Sequence, residues 1–535
     1  MNIAVVLRER ARDSAETPAI IEGHRTVTFA DLDDITAGIA QQLRAAGVCL
    51  GDRVLVFCPM SIALYATLVG LWRVGSVAMF LDPSAGRDHI ERCCRLVTPH
   101  AFIATPRAHL LRLLSPALRQ SPIALSIGRW VPAAMTLRIA RSPDDERTIV
   151  ETRDDAPALI TFTSGSTGQP KAAVRSHGFL LAQHRVLAED LSLQSGQRDL
   201  AALPIFVLAN LASAVTSIVP DADLRRPGDI EPSRLLRQVR QVRPTRVAAS
   251  PALLERLARH VAARRETMGE FEAIYTGGAP VFPRLLRLLQ TVAPAADIFA
   301  VYGSTEAEPI AKVAWTDIAQ QDLQAMESGA GLLVGRPVKA IELRILPDRW
   351  GRPIGPYLQP DFDREVLPIE QPGEIVVAGD HVLTGYLDGH GDEETKFRVG
   401  SAVWHRTGDA GYIDPRQRLW LLGRCSAKLT DARGVLYPFA VECAALALDA
   451  VRRCALVDHH GARVLAVELD GLSQEAARRL LITQLAWAEL QDVIVVERLP
   501  VDKRHNAKID YPALEKMLAS RRAASDRTRS PRTHR

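Results

Sequence analysis

Hydrophobic positions along the chain come in short unbroken blocks set between helix-length stretches. Val54–Phe57 (VLVF) is apolar throughout, as a strand covered on both faces requires. Beyond Pro59 and Ser61 lies a helix-length apolar piece, then Gly75 and a second short block, VAMFL. The pattern predicts strand, helix, strand. The whole run Val54–Trp72 is uncharged and long enough to suggest a membrane span. Pro59 and Ser61 divide it, so it reads as a buried βα unit instead.

The same alternation recurs. Thr98–Ala104 and Ala156–Phe162 predict strands, Ser233–Val242 a helix, and Arg246–Ser250 a strand leading into a helix from Pro251. FEAIYTGGAP predicts a strand and loop, Phe282–Val292 a helix, and DIFAVYGSTE another strand and loop. Repeated units of this kind predict an α/β fold with a large, mainly parallel sheet. Ligands of such sheets bind in the loops beyond the carboxyl ends of the strands. From about Gly329 the texture changes. The blocks ELRILP, GEIVVAG and RLWLLG predict a β-rich subdomain, and a smaller α+β pattern follows Arg424 to about Ala519.

Composition narrows the classes. At 535 residues the chain has room for more than one core. Aromatic residues make up only 5%, too few to suggest base-stacking platforms. The net charge of +4 is unevenly placed: residues 520–535 hold six Arg and one Asp, leaving the rest near neutral. This tail lacks large apolar residues and reads as a disordered, solvated terminus rather than a nucleic-acid-binding arm. No nucleic-acid partner is expected. The seven cysteines are odd in number and form no CxxC pair, which fits reduced, buried thiols in a cytoplasmic protein. MNIAVVLRERARD lacks the pattern of a cleavable signal peptide.

Candidate chemistry sits in the loops. TFTSGSTGQPK (161–171) follows a predicted strand and offers Thr163, Ser164, Gly165, Ser166, Thr167, Gly168 and Lys171. Backbone N–H groups of such a loop form an anion nest, hydroxyls add donors and lysine adds a charge. It is not a Walker loop, because Gln169 and Pro170 separate glycine from lysine and Ala172 follows. YTGGAP (275–280) offers Gly277, Gly278 and Ala279. VYGSTEAEP (301–309) offers Tyr302, Gly303, Ser304, Thr305 and Glu306. Each alone could be an ordinary turn. Further along stand GEIVVAGDHVLTGY (373–386), WHRTGDAGYID (404–414), LLGR (421–424) and RHNAKIDYPAL (504–514).

In this order, over about Gly51 to Leu514, these segments resemble the signature motifs of the adenylate-forming superfamily. That superfamily comprises acyl-CoA synthetases, peptide-synthetase adenylation domains and luciferases. The resemblance implies an adenylation domain over 1–424, a small C-terminal domain over 425–519 with a catalytic lysine, and the tail 520–535. It implies ATP and Mg²⁺. The loop from Thr163 to Lys171 would hold the β- and γ-phosphates, with Gly277, Gly278 and Ala279 against the adenine and Tyr302 stacked on it. Gly303 and Ser304 complete that loop. Thr305 would bond the α-phosphate and Glu306 would hold the metal. Asp409 would accept from the ribose hydroxyls, and Arg424 would add a ribose or phosphate contact. Lys508 would stabilise the charge that builds as a carboxylate attacks the α-phosphate. Where the superfamily commonly has Asp at the hinge between domains, this chain has Ser426.

The motif resembling FDxS that pairs a substrate ammonium is absent near Leu203–Asn210 (LPIFVLAN), which disfavours an amino acid and suits a fatty or otherwise apolar acid. FLDPSAGRDHIERC, WHRTGDAGYID and DKRHNAKI are similar to olefin β-lactone synthetases. That likeness implies a long-chain β-hydroxy acid, activated as acyl-AMP and closed by its own hydroxyl. The alternative is a fatty acyl-CoA ligase, which would need coenzyme A. A non-catalytic scaffold on an enzyme fold is disfavoured, because Lys171, Glu306, Asp409, Arg424 and Lys508 are all present. The sequence leaves the oligomeric state open.

Overall fold

A computed structural model of the chain describes residues 1–81, 86–141, 147–164, 169–501 and 509–529, without the side chains of 164 and 521–529. Among these residues the strands form a seven-stranded sheet, a fourteen-stranded sheet, a three-stranded sheet and a two-stranded hairpin.

The seven-stranded sheet contains Arg53–Phe57, Val77–Phe80, Ala101–Ala104, Ile123–Ile127 and Pro157–Ser164, all parallel. Their carboxyl ends therefore share one edge of the sheet. The helix Ile62–Val74 is apolar around its whole circumference, and every residue but Ala63 is buried. It lies with the helix Phe29–Ala45 between the two large sheets, within one core that also takes Ile20, Ala248 and Val301 from the larger sheet. This explains the membrane-like run: no helix of the described chain is long and apolar enough to cross a bilayer. Two charges are buried between these helices, where Arg73 donates to Asp33 and, at 2.9 Å, to Thr36 Oγ1.

The larger sheet changes character along its width. Arg198–Ala201, Arg246–Ala249, Ala273–Gly277 and Asp297–Ser304 run parallel, and the helices Pro232–Val242, Pro251–Ala263 and Pro283–Val292 cover their outer face. At Ala307–Ala314 the sheet turns antiparallel. It continues through Leu332–Pro337, Leu419–Arg424, Ala402–Ile413, Gly373–Ala378 and Glu342–Leu346. The β-rich portion expected from Gly329 is thus the continuation of the parallel sheet. Sequence texture cannot show this, because edge-to-edge pairing between the two halves leaves no local pattern.

Beyond Arg424 a short helical turn, Cys425–Ala427, contains Ser426, and the hairpin Leu429–Asp431 with Gly434–Leu436 follows. The three-stranded sheet Val451–His459, Ala462–Leu469 and Asp492–Val495 packs on helices Pro438–Leu446 and Gln474–Gln484 with its own core. The last helix, Tyr511–Arg529, takes in residues 520–529 of the segment expected to be disordered. Ala and Arg favour helix there, and the first breaker is Pro531; residues 530–535 lie outside the described residues. All seven cysteines are free, and Cys49 is exposed where a buried thiol was expected.

Candidate active site

Three loops at the carboxyl ends of parallel strands carry the candidate residues. The strand Pro157–Ser164 delivers the hydroxyl-rich segment, of which Gly165, Ser166, Thr167 and Gly168 lie outside the described residues, as does the Ser164 side chain. The returning strand Pro170–Ser176 pairs Lys171 opposite Thr163. Lys171, expected within the loop, is a buried residue of this strand. Its Nζ donates to Glu394 Oε2 at 2.7 Å and lies 5.5 Å from the Tyr386 ring centre. The chain can pass this close because Gly391, at φ +98°, has no side chain; a Cβ there would come within 2.6 Å of Lys171 Cε.

The second loop follows Ala273–Gly277. Gly277 abuts the neighbouring strand so closely that a Cβ would sit 2.6 Å from the Val301 carbonyl, and Gly278 has φ +80°. On that neighbouring strand, Tyr302 donates to Asp409 Oδ2 at 2.7 Å. Asp409 lies directly across the strand pair from Arg424, whose Nε is 3.2 Å from Asp409 Oδ1. Arg424 Nη1 also donates to the Thr407 carbonyl at 3.1 Å. Burial and the Asp409 carboxylate keep the Tyr302 phenol protonated far above its ordinary range. Gly278, Ala279, Tyr302, Gly303, Asp409 and Arg424 line one cavity of about 320 Å³, within the size range of small-molecule sites. Glu442, Cys454, Ile509 and Tyr511 of the C-terminal unit close its other side.

The third loop joins two antiparallel strands through Thr305 and Glu306. Ser304 Oγ accepts from the backbone N–H of Glu306 and of Ala307 at 3.3 and 3.2 Å. The Thr305 carbonyl accepts from Arg175 Nη2 at 2.6 Å, and Arg175 Nη1 donates to Thr161 Oγ1 at 2.7 Å. Arg175 thus ties this turn to the strand that delivers the hydroxyl-rich loop. Glu306 Oε1 accepts from the Tyr386 hydroxyl at 2.8 Å. Burial alone would push the Glu306 carboxyl up; the Tyr386 hydroxyl and the Lys396 ammonium oppose it, and the carboxyl lies below its ordinary value. Burial drives Lys396 down to about 8 and His405 down to about 3, so the imidazole is neutral and Lys396 carries the charge facing Glu306.

Among the described residues no three His, Cys, Asp or Glu side chains group to hold a metal by themselves. Glu306 is not on the wall of that cavity, but an ionised carboxylate three residues beyond its lining Gly303 suits Mg²⁺, which binds one or two carboxylates together with substrate phosphates.

Sequence reasoning missed Arg175, Tyr386, Glu394, Lys396 and His405. Tyr386 and His405 stood inside quoted motifs without a role. Glu394 and Lys396 lie in DEETKF, where nothing local signals that they face residues some 90 to 220 positions away. Lys508 lies outside the described residues; Ile509 and Tyr511 line the cavity.

Comparison with known proteins now bears on this geometry. A family model for AMP-binding enzymes matches residues 7–387. The chain belongs to that family. It is 32% identical to an olefin β-lactone synthetase of Stenotrophomonas maltophilia (strain K279a), covering 95% of this chain and 96% of the relative. It is 31% identical to an olefin β-lactone synthetase of Xanthomonas campestris pv. campestris, covering 97% and 98%. Among solved structures it superposes on the anthranilate CoA ligase AuaEII in complex with anthranoyl-AMP at a TM-score of 0.82, with 16% identity and 98% of each chain covered. At that identity the likeness shows the fold. As an AMP-binding enzyme the chain is an acid-activating, AMP-forming ligase that adenylates a carboxylate with ATP.

Proposed function

We propose that this ligase activates a hydrophobic β-hydroxy acid as its acyl-AMP and that the acid's own hydroxyl then closes the chain to a β-lactone. One observation carries the adenylation geometry: Tyr302, from a strand about 100 residues earlier in the chain, donates a hydrogen bond to Asp409, and Asp409 pairs with Arg424 on the adjacent strand, all three on the wall of the cavity of about 320 Å³. In this reading Asp409 accepts from the ribose hydroxyls, and the Gly277–Ala279 loop and the Tyr302 ring bracket the adenine. Thr305 and the Thr163–Lys171 loop face the phosphates. Glu306 would hold Mg²⁺, which neutralises phosphate charge when bound. An oxygen of the acid attacks the α-phosphorus, the bond to the β-phosphate oxygen breaks, and pyrophosphate leaves. Lys508 supplies positive charge where negative charge gathers.

One feature supports an apolar acid: the 31–32% identical relatives are named olefin β-lactone synthetases. In the second step the β-hydroxyl oxygen bonds to the acyl carbon, AMP leaves with the acyl–phosphate oxygen, and the hydroxyl proton is lost. No coenzyme A is consumed.

The test has two stages. Acid-dependent exchange between ATP and pyrophosphate should collapse in Lys508→Ala and in Glu306→Ala; unchanged exchange in either removes that residue from its role. Mass spectrometry of products from a β-hydroxy fatty acid should then show the lactone without coenzyme A. A thioester made only with coenzyme A would replace the closure step and leave adenylation standing.

A further inference from the structure

We infer that one edge of the seven-stranded sheet is a docking face for a bilayer rich in anionic lipid. Residues 101–141 contain six arginines (107, 112, 119, 129, 138 and 141) and no Asp, Glu or Lys. Arg107, Arg119, Arg129 and Arg138 are exposed and form no ion pair with a described carboxylate. Exposed apolar side chains stand among them: Leu110 at 61%, Leu113 at 71%, Leu114, Trp130 at 73% and Met135. A second group of exposed apolar residues, Leu472, Leu480, Ile482 and Trp487, lies in the C-terminal unit, and each is less exposed than Leu110, Leu113 or Trp130.

Folding does not account for this face. The segment is anchored on its inner side, where buried His109 bonds the Leu125 carbonyl at 3.1 Å and packs edge-on against Phe102, while Ala108 and Leu111 join the core beneath. Leu110, Leu113 and Leu114 project the other way. Arg112 Nη1 donates to the Ala133 carbonyl at 3.0 Å, which joins the Leu111–Leu114 helix to the turn that presents Trp130. Exposed leucines and a tryptophan in a segment whose charged residues are all arginines are the composition of a surface lying in the headgroup layer of an anionic bilayer. The loops involved follow the strands Ala101–Ala104 and Ile123–Ile127, on the same sheet edge where Pro157–Ser164 ends. At about 4.8 Å per strand the two places are about 20 Å apart. The proposal is independent of the acid's identity.

Flotation of the full chain with vesicles tests it. The protein should float with vesicles of phosphatidylcholine and phosphatidylglycerol and stay behind with phosphatidylcholine alone. Leu113→Ser with Trp130→Ser should cut flotation about tenfold or more, and Arg107→Gln with Arg129→Gln should weaken it and flatten its salt dependence. Both variants alter exposed side chains outside the candidate site, so exchange with a water-soluble acid should be unchanged. Deleting 520–535 should leave flotation intact. The inference falls if the intact chain does not float, if the Leu113/Trp130 variant floats equally, or if only the tail deletion abolishes flotation. It also falls if light scattering shows a dimer that the Leu113/Trp130 variant dissociates.

Discussion

The Tyr386 hydroxyl donates to Glu306 Oε1 at 2.8 Å, across 80 residues of sequence. The same stretch grips Glu306 a second time, since the Leu383 N–H donates to the Glu306 carbonyl at 2.7 Å. The Tyr386 ring has the Lys171 and Lys396 ammonium groups each 5.5 Å from its centre. One phenol therefore links the turn bearing Glu306 to the strand bearing Lys171. Its hydroxyl stays protonated because burial and the Glu306 carboxylate both oppose ionisation.

Tyr386→Phe keeps the ring and removes the donor. A hydrogen bond to a charged group contributes about 1.5–3 kcal/mol, so exchange activity should fall about tenfold or more. The Mg²⁺ concentration for half-maximal activity should rise, because Glu306 loses the group that fixes its orientation. Without that donor the Glu306 carboxyl titrates higher, so the acid limb of the pH–rate profile should move upward. A variant with unchanged metal dependence and an unshifted limb would reduce Tyr386 to packing.

Asp409→Asn should raise the KM for ATP about tenfold or more while leaving the fold intact. The amide cannot pair with Arg424 or accept as a carboxylate does. Tyr302→Phe should do less, because Asp409 keeps Arg424. The two changes share one partner, so the double variant should be less impaired than the product of the single effects. Exchange kinetics over a range of ATP concentrations measures all three.

Legibility followed locality. The parallel core was readable because buried strands and amphipathic helices leave local patterns, as at Val54–Phe57 and Pro232–Val242. The candidate loops were readable because glycine and hydroxyl residues cluster there. Pairings between distant segments were not. Nothing around Lys171 announces Glu394, and nothing around Arg175 announces the Thr305 carbonyl, because such contacts depend on how two sheets stack. The antiparallel continuation beyond Ala307 stayed hidden for the same reason, as did the placement of Lys171 on a strand.

Glu394→Gln leaves the Lys171 ammonium buried without its counter-charge. Glu394 is more than a third exposed, so solvent moderates the loss, and about 1–2 kcal/mol is expected. Gly391→Ala should cost about as much or more, because it combines a left-handed backbone with a contact on Lys171. Lys171→Met keeps the packing and removes the charge, so it should fold well and lose chiefly pyrophosphate affinity. Urea titrations separate the first two, and exchange at varied pyrophosphate separates the third.

Glu442 gives stability a pH dependence of unusual sign. Its carboxyl is buried on the cavity wall and accepts from the Leu456 N–H at 3.1 Å and the Tyr511 hydroxyl at 2.9 Å. Burial nonetheless raises it from 4.5 to about 7. Between those values the folded chain holds a proton that the unfolded chain has released. The contribution is therefore complete below 4.5, falls as pH rises, and is lost above about 7. The change amounts to at most about 3 kcal/mol, from 1.36 kcal/mol per pKa unit. Urea midpoints should fall from about pH 5 to about pH 8. Glu442→Gln, which stays neutral throughout and keeps an acceptor for Tyr511, should remove most of that slope. Equal slopes in the two proteins would show that Glu442 does not titrate with folding in this window.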